Sequence, residues 1–270
     1  MLTSADKRAA FRKLHESGCF IIPNPHDAGS ARALQHLGFK ALASTSAGFA
    51  WTIARADNKV TVDDVCNHLS AICAAVDIPV NADFEDGFAH EPDKVAVNVA
   101  RAVKTGVAGL SIEDFTGDAA KPLFDRALAI DRIKAARKAI DADKSGVLLT
   151  GRCEAFLREK KDLNLVIDRL TAYAEAGADC LYSPGISTKE EISAVVKAVH
   201  PKPVNLLVGA AGPSLADAGA LGVRRISVGG TLARVAWAGF MKAAAEMAEK
   251  GTFTELANGY PGGELNKMFS

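Results

Sequence analysis

At 270 residues, 49% of them apolar, the chain is long enough to bury a full core and suits either one α/β barrel or two small domains. Lys plus Arg (32) balances Asp plus Glu (32), and no basic run interleaves with aromatics, so neither nucleic acid nor an anionic membrane is an expected partner. The five cysteines (Cys19, Cys66, Cys73, Cys153, Cys180) are scattered and odd in number, which predicts reduced thiols. No apolar run reaches the roughly 18 residues of a membrane span, and Thr3 to Gly18 is charged and helix-like rather than a signal peptide. The expectation is a soluble, cytoplasmic protein whose partner is a small molecule or another copy of the chain.

After that N-terminal helix, short apolar runs alternate with alanine-rich stretches of helical periodicity. The predicted strands are Cys19–Pro23, Ala41–Thr45, Pro79–Phe84, Gly109–Asp114, Val147–Glu154, Cys180–Ser183, Val204–Val208 and Arg225–Val228. Their near-continuous apolar character fits parallel strands buried on both faces. Between them, spacings of three and four, as in Val65, Leu69, Ile72, Cys73 and Val76, predict outer helices. One joint recurs, with glycine at Gly38, Gly106, Gly177 and Gly222 followed two or three residues later by a strand. Glycine suits the position after a helix because the left-handed conformation there penalises a Cβ. Eight such units predict a closed (β/α)8 TIM barrel, with an open doubly wound sheet as the alternative. No linker or low-complexity run interrupts the chain, so residues 1–270 are read as a single barrel domain with a C-terminal helical extension.

In a barrel, the C-terminal ends of the strands face the active site. That rule selects Thr45-Ser46-Ala47 after the second strand, Asp83 and Glu85 after the third, Glu113 on the fourth, Arg152 with Glu154 on the fifth, and Asn205 on the seventh. Converging carboxylates repel by about 4 kcal/mol per pair at about 4 Å for an effective dielectric near 20. Either a hard divalent cation or raised pKa values must relieve them. Asp86 and Asp114 read more simply as first-turn or capping acids. Arg152, set in the apolar run Val147–Thr150, needs an anionic partner, either a substrate carboxylate or a barrel acid such as Glu154. Thr45, Ser46 and Ala47 offer hydroxyls and closely spaced N–H groups to a second carboxylate, though they also read as an ordinary polar turn. No lysine lies at a C-terminal strand end, which disfavours a Schiff-base aldolase.

The motifs Ile21-Ile22-Pro23-Asn24-Pro25-His26-Asp27-Ala28, Thr45-Ser46-Ala47-Gly48, Pro79-Val80-Asn81-Ala82-Asp83, Ser111-Ile112-Glu113-Asp114, Arg152-Cys153-Glu154-Ala155-Phe156 and Ser227-Val228-Gly229-Gly230 together resemble the isocitrate lyase and phosphoenolpyruvate mutase superfamily. The resemblance implies Mg²⁺, with Mn²⁺ as an alternative, and C–C or P–C bond chemistry beside a 2-oxo acid through an enolate. It implies Asp83 as the direct metal ligand, with Glu85, Asp57 and Glu113 acting through water. It further implies Thr45, Ser46 and Ala47 as a carboxylate cradle, Arg152 and Glu113 as catalytic groups, and a homotetramer or dimer that exchanges its last helices. Two departures stand out. Asp83-Phe84-Glu85-Asp86-Gly87 lengthens the second acid of the usual Asp-x-Asp-x-Gly, and Phe115-Thr116-Gly117-Asp118-Ala119-Ala120-Lys121-Pro122 reads as a shortened loop that runs straight into the next helix without the Lys-Cys-Gly-His type motif of the lyases. The expectation is therefore a lyase, decarboxylase or hydrolase acting on an oxaloacetate-like 2-oxo acid. The alternatives are a barrel that binds such an acid without turnover, and a phosphonomutase or 2-methylisocitrate lyase with an atypical loop.

Overall fold

The computed structural model describes residues 2–159 and 161–270. Helix α1 (Ser4–Leu14) opens with a capping box in which the Thr3 hydroxyl accepts from the Asp6 N–H and Asp6 accepts from the Thr3 N–H. The strands are β1 (Phe20–Ile21), β2 (Leu42–Ala43), β3 (Val80–Asp83), β4 (Gly109–Glu113), β5 (Leu148–Arg152), β6 (Cys180–Tyr182), β7 (Val204–Leu207) and β8 (Arg225–Ser227). Each lies within its predicted segment and is trimmed by no more than two residues at either end. They pair in parallel in the order β1-β8-β7-β6-β5-β4-β3-β2. The two ends of that order meet where the Ala43 N–H donates to the Pro23 carbonyl at 3.0 Å, so the sheet curls into a barrel.

The helices between the strands are α2 (Ala28–His36), α3 (Ser46–Thr52), α4 (Val62–Ala75), α5 (Pro92–Lys104), α6 (Arg126–Asp143), α7 (Ala155–Arg158), α8 (Leu163–Glu175), α9 (Lys189–Val199) and α10 (Leu215–Ala220). Their apolar periodicity decides which face is buried. In α4, Val65, Leu69, Ile72 and Cys73 turn inward; in α8, Val166, Leu170 and Tyr173 do the same. The four joint glycines Gly38, Gly106, Gly177 and Gly222 all take positive φ, from +87° to +105°, as the repeated joint requires.

The N-terminal end of the barrel is closed by α1. Phe11, fully buried, packs with Ile22, Ala41, Ala43, Ala108 and Leu148. Gly109 makes room for it, since a Cβ there would stand 2.7 Å from the Phe11 ring and 2.6 Å from Asn81 Oδ1. Lys7 and Arg8 anchor the helix from outside. Lys7 Nζ donates to the Cys73 and Val76 carbonyls at the end of α4, and Arg8 donates to the Val103 and Val107 carbonyls near the end of α5 at 2.7 and 3.0 Å. Cations at helix C-termini are favoured by the helix dipole. Beyond the barrel, α11 (Thr231–Lys250) and α12 (Gly262–Phe269) form the helical extension. Within α11 only Ala233 is buried, whereas Val235, Phe240 and Met241 are each more than half exposed.

Candidate active site

The C-terminal mouth holds a cavity of about 190 Å³. Thr45, Ser46 and Ala47 come to it from the β2–α3 turn, Asp83 and Arg152 from the ends of β3 and β5, Asn205 from β7 and Asp57 from the loop after α3. Glu85 and Glu113 line an adjoining cavity of about 180 Å³ beneath Phe115 and Thr116. Arg152 joins the two groups. Its Nη1 lies 3.2 Å from Asp83 Oδ1 and 3.1 Å from Glu113 Oε2, and its Nε bonds Glu154 Oε1 at 2.6 Å. The guanidinium also sits 5.1 Å from the centre of the Tyr182 ring. Its Nη2 has no acceptor among the described residues. The barrel acid that the sequence offered as a structural partner for Arg152 is thus present, and one donor is still left over.

The charges at this end oppose one another. Burial pushes the Glu85 carboxyl up to about 8, and Asp83 adds to the shift. Glu85 Oε1 is buried without a hydrogen-bond partner, while its other oxygen accepts from Asn58 at 3.3 Å. The Glu85 backbone sits at φ +45°, a strained position for a side chain with a Cβ. Burial also holds Glu113 well above the usual carboxylate range; Arg152 opposes that shift, and Glu154 and Asp83 reinforce it. Asp57 is exposed by surface area yet crowded by the cavity rim, and that crowding, followed by Asp83, raises its carboxyl. For Arg152, burial works against the charge, but Glu113 and Glu154 outweigh it and hold the guanidinium well above its ordinary value. Opposed pKa shifts gathered in one cleft are a mark of functional sites.

The turn after β2 plays two parts. Thr45 caps α3, its hydroxyl accepting from the Gly48 N–H at 3.3 Å, while the Ser46 N–H donates to Asp83 Oδ2 at 3.0 Å. The Ala47 N–H has no acceptor among the described residues. Asn205 is fixed from below: Oδ1 accepts from Arg225 Nε at 2.8 Å, and Nδ2 donates to Ser227 Oγ at 2.9 Å.

Asp86 and Asp114 take structural positions. Asp86 accepts from the Phe88 N–H at 2.8 Å. Asp114 accepts from the Glu154 N–H at 2.7 Å, Tyr173 Oη at 2.6 Å and Arg169 Nη1 at 3.0 Å. Between Glu113 and α6 the chain does not run directly into the helix. Phe115 pairs with Leu123 in an antiparallel bridge, and the Thr116 hydroxyl ties the loop shut through the Lys121 carbonyl at 2.6 Å. Lys121 Nζ pairs with Asp125 at 3.2 Å on the exposed side.

The donors at the mouth are all oxygens, which suits a hard cation. Among the described residues no trio of His, Cys, Asp or Glu forms a closed metal cage. The orphaned Glu85 oxygen and the mutual repulsion of four acids do fit a cation held by one or two direct carboxylates and otherwise by water.

A family model for phosphoenolpyruvate phosphomutase matches residues 11–248, nearly the whole barrel. The chain belongs to that family. This family member is 46% identical to a Burkholderia cenocepacia protein solved as a candidate lyase/mutase, covering 98% of this chain and 97% of that one at a TM-score of 0.95. It is 28% identical to the oxaloacetate decarboxylase of Rhodopseudomonas palustris, over 83% of this chain and 77% of that protein. It is also 28% identical to a solved oxaloacetate acetylhydrolase in complex with its product oxalate, over 99% and 94% of the two chains, with a TM-score of 0.82. The phosphomutase family lies within the isocitrate lyase superfamily, whose members include carbon–carbon lyases and decarboxylase-type enzymes. Tyr182 and Arg225 line the cavity of this family member but went unmarked by sequence reasoning, and Asn24 and Gly230 stood in the quoted motifs with no role assigned. Tyr182 ends β6 and pairs in register with Arg152, so the strand-end rule could have found it. Arg225 begins its strand and reaches the cavity from the floor, where that rule looks for nothing.

Proposed function

We propose that this protein is a divalent-cation-dependent enzyme that breaks a C–C bond in a small, oxaloacetate-like 2-oxo acid through an enolate. The observation that carries the reading is that Asp83 and Arg152 face one cavity and touch within it, with Nη1 to Oδ1 at 3.2 Å. Asp83, with Glu85, Asp57 and Glu113 around it, would hold Mg²⁺ or Mn²⁺, which would stabilise negative charge on the enolate oxygen. The Thr45–Ala47 turn supplies N–H groups to the 1-carboxylate. Arg152, positioned by Glu154, supplies its free Nη2 to the anion and strengthens its hold as charge builds in the transition state. Asn205 orients the far wall. The cavity volume, about 190 Å³, suits a compact acid of this kind. The oxaloacetate enzymes among its relatives support the same substrate class.

The exposed apolar side chains of α11 support an assembly, dimer or tetramer, in which a second copy covers them. Purified protein incubated with Mg²⁺ and oxaloacetate is expected to form pyruvate or oxalate above the metal-only blank. Saturable oxalate binding with no product would instead favour binding without turnover.

A further inference from the structure

A bond broken beside a 2-oxo acid leaves an enolate whose carbon must be protonated, and the one carboxyl of the shortened loop, Asp118, accepts from the Ala120 N–H at 2.8 Å on the exposed side. The single basic side chain in that loop, Lys121, pairs with Asp125 at the surface. Among the groups facing the cavity, Asp57 and Asp83 belong to the cation side, and Arg152 is locked as a cation by Glu113 and Glu154. Arg225 spends its donors on Asn205, Thr150 and His15 below. Ser44 and Ser111 are tied to the Asp83 N–H and the Ala82 carbonyl. Thr45 caps α3, Ser46 hydrogen-bonds Asp57 on the cation side, Ser227 is held by Asn205, and Tyr182 remains. Its side chain lines the cavity beside the Arg152 guanidinium, with the Ser227 hydroxyl as its hydrogen-bonding neighbour.

We propose that Tyr182 is the proton donor to the enolate carbon, an assignment that rests on the 2-oxo acid reading above. As the C–C bond breaks, its electron pair enters the C2–C3 enolate and carbon dioxide departs. The enolate then takes the Tyr182 proton at C3: a C–H bond forms, the phenolic O–H bond breaks, and a phenolate is left. After the product leaves, solvent water returns a proton to the phenolate.

Two features of the structure serve this step. Burial keeps the phenol protonated until an enolate is present, and the Arg152 guanidinium works against that shift and so favours the phenolate formed transiently. The neighbouring Ser227 hydroxyl is held by Asn205 Nδ2, and Asn205 by the buried Arg225, so a chain of fixed donors runs from the barrel floor to the phenol.

The test uses the full-length protein with Mg²⁺ in D₂O and an oxaloacetate bearing a methyl group at C3. The 2-oxo acid product is reduced at once and its deuterated carbon is analysed for configuration. A protein-bound acid delivers deuterium to one face, whereas an enolate protonated in solution takes it on both. The native protein is expected to give one configuration. Tyr182→Phe is expected to give a near-even mixture while binding oxalate within about twofold of native, since a lost proton donor removes a step and not a binding contact. A single configuration from Tyr182→Phe overturns the assignment, as does a mixture from the native protein. Native protein that binds oxalate but releases no product overturns the C–C cleavage reading, and native protein that fails to bind oxalate overturns the pocket itself.

Discussion

The two ends of the barrel handle charge in opposite ways. At the floor, Arg225 is almost fully buried with no carboxylate partner among the described residues, yet its donors meet Asn205 Oδ1 at 2.8 Å, Thr150 Oγ1 at 2.9 Å and His15 Nε2 at 3.3 Å. His15 is kept neutral to accept there: burial first, then Arg225, lower its pKa to about 3. At the mouth, Asp83, Glu113 and Glu154 converge on one guanidinium, Glu85 keeps a buried oxygen unpaired among the described residues, and its carboxyl rises to about 8. The floor is arranged for stability, and the mouth holds an electrostatic conflict that a cation and an anion would resolve. Such a division is the expected cost of a functional end in a barrel.

The largest effect should fall at the floor. Phe11→Ala removes the aromatic plug and is expected to lower unfolding free energy by about 3–5 kcal/mol in urea titrations. Oxalate affinity of the folded protein should stay within about twofold; a parallel loss of affinity would mean that the two ends are not separable. Next comes the mouth. Arg152→Lys keeps a charge but loses the fork that bonds Glu154 and Asp83 together, and oxalate binding in Mg²⁺ should weaken about 100-fold, or about 3 kcal/mol, by calorimetry. Its stability change should be smaller than that of Phe11→Ala, and unchanged affinity would remove Arg152 from the site.

The smallest effect is a pH dependence at the floor. His15 titrates near 6.5 when unfolded and near 3 when folded, so the unfolded state binds more protons between those values and stability falls as the pH drops through that window. The loss should reach at most about 2 kcal/mol at pH 5. It should shrink in His15→Gln, and an unchanged pH profile in that variant would locate the dependence elsewhere.

What could be read in the sequence was local or periodic. The strands, the glycine joints and the inward face of α4 each rest on neighbours within one or two turns of chain, so they were visible without a structure. The candidate residues Thr45, Asp83, Glu113 and Arg152 were selected because they end strands or follow them at the mouth, and Asn205 because it lies on β7. The rest depends on distant pairs. The contact of Arg225 with His15 spans 210 residues and has no signature in either segment. The Phe115–Leu123 bridge turns an apparently direct run into a closed loop, because two apolar residues eight apart can pair across a Gly117 turn at φ +81°. Tyr182 ends β6 level with Arg152, so its position was legible by the strand-end rule, while its contact with the guanidinium was not. The pKa shifts of Glu85 and Glu113 come from burial, which composition cannot show.

The most direct test of the shared pocket is a crystal structure grown with Mg²⁺ and oxalate. The expected result is one cation at Asp83 and one oxalate between it, Arg152 and the Thr45–Ala47 turn. Oxalate bound elsewhere, or Asp83 and Arg152 turned away from a common cavity, would contradict the account.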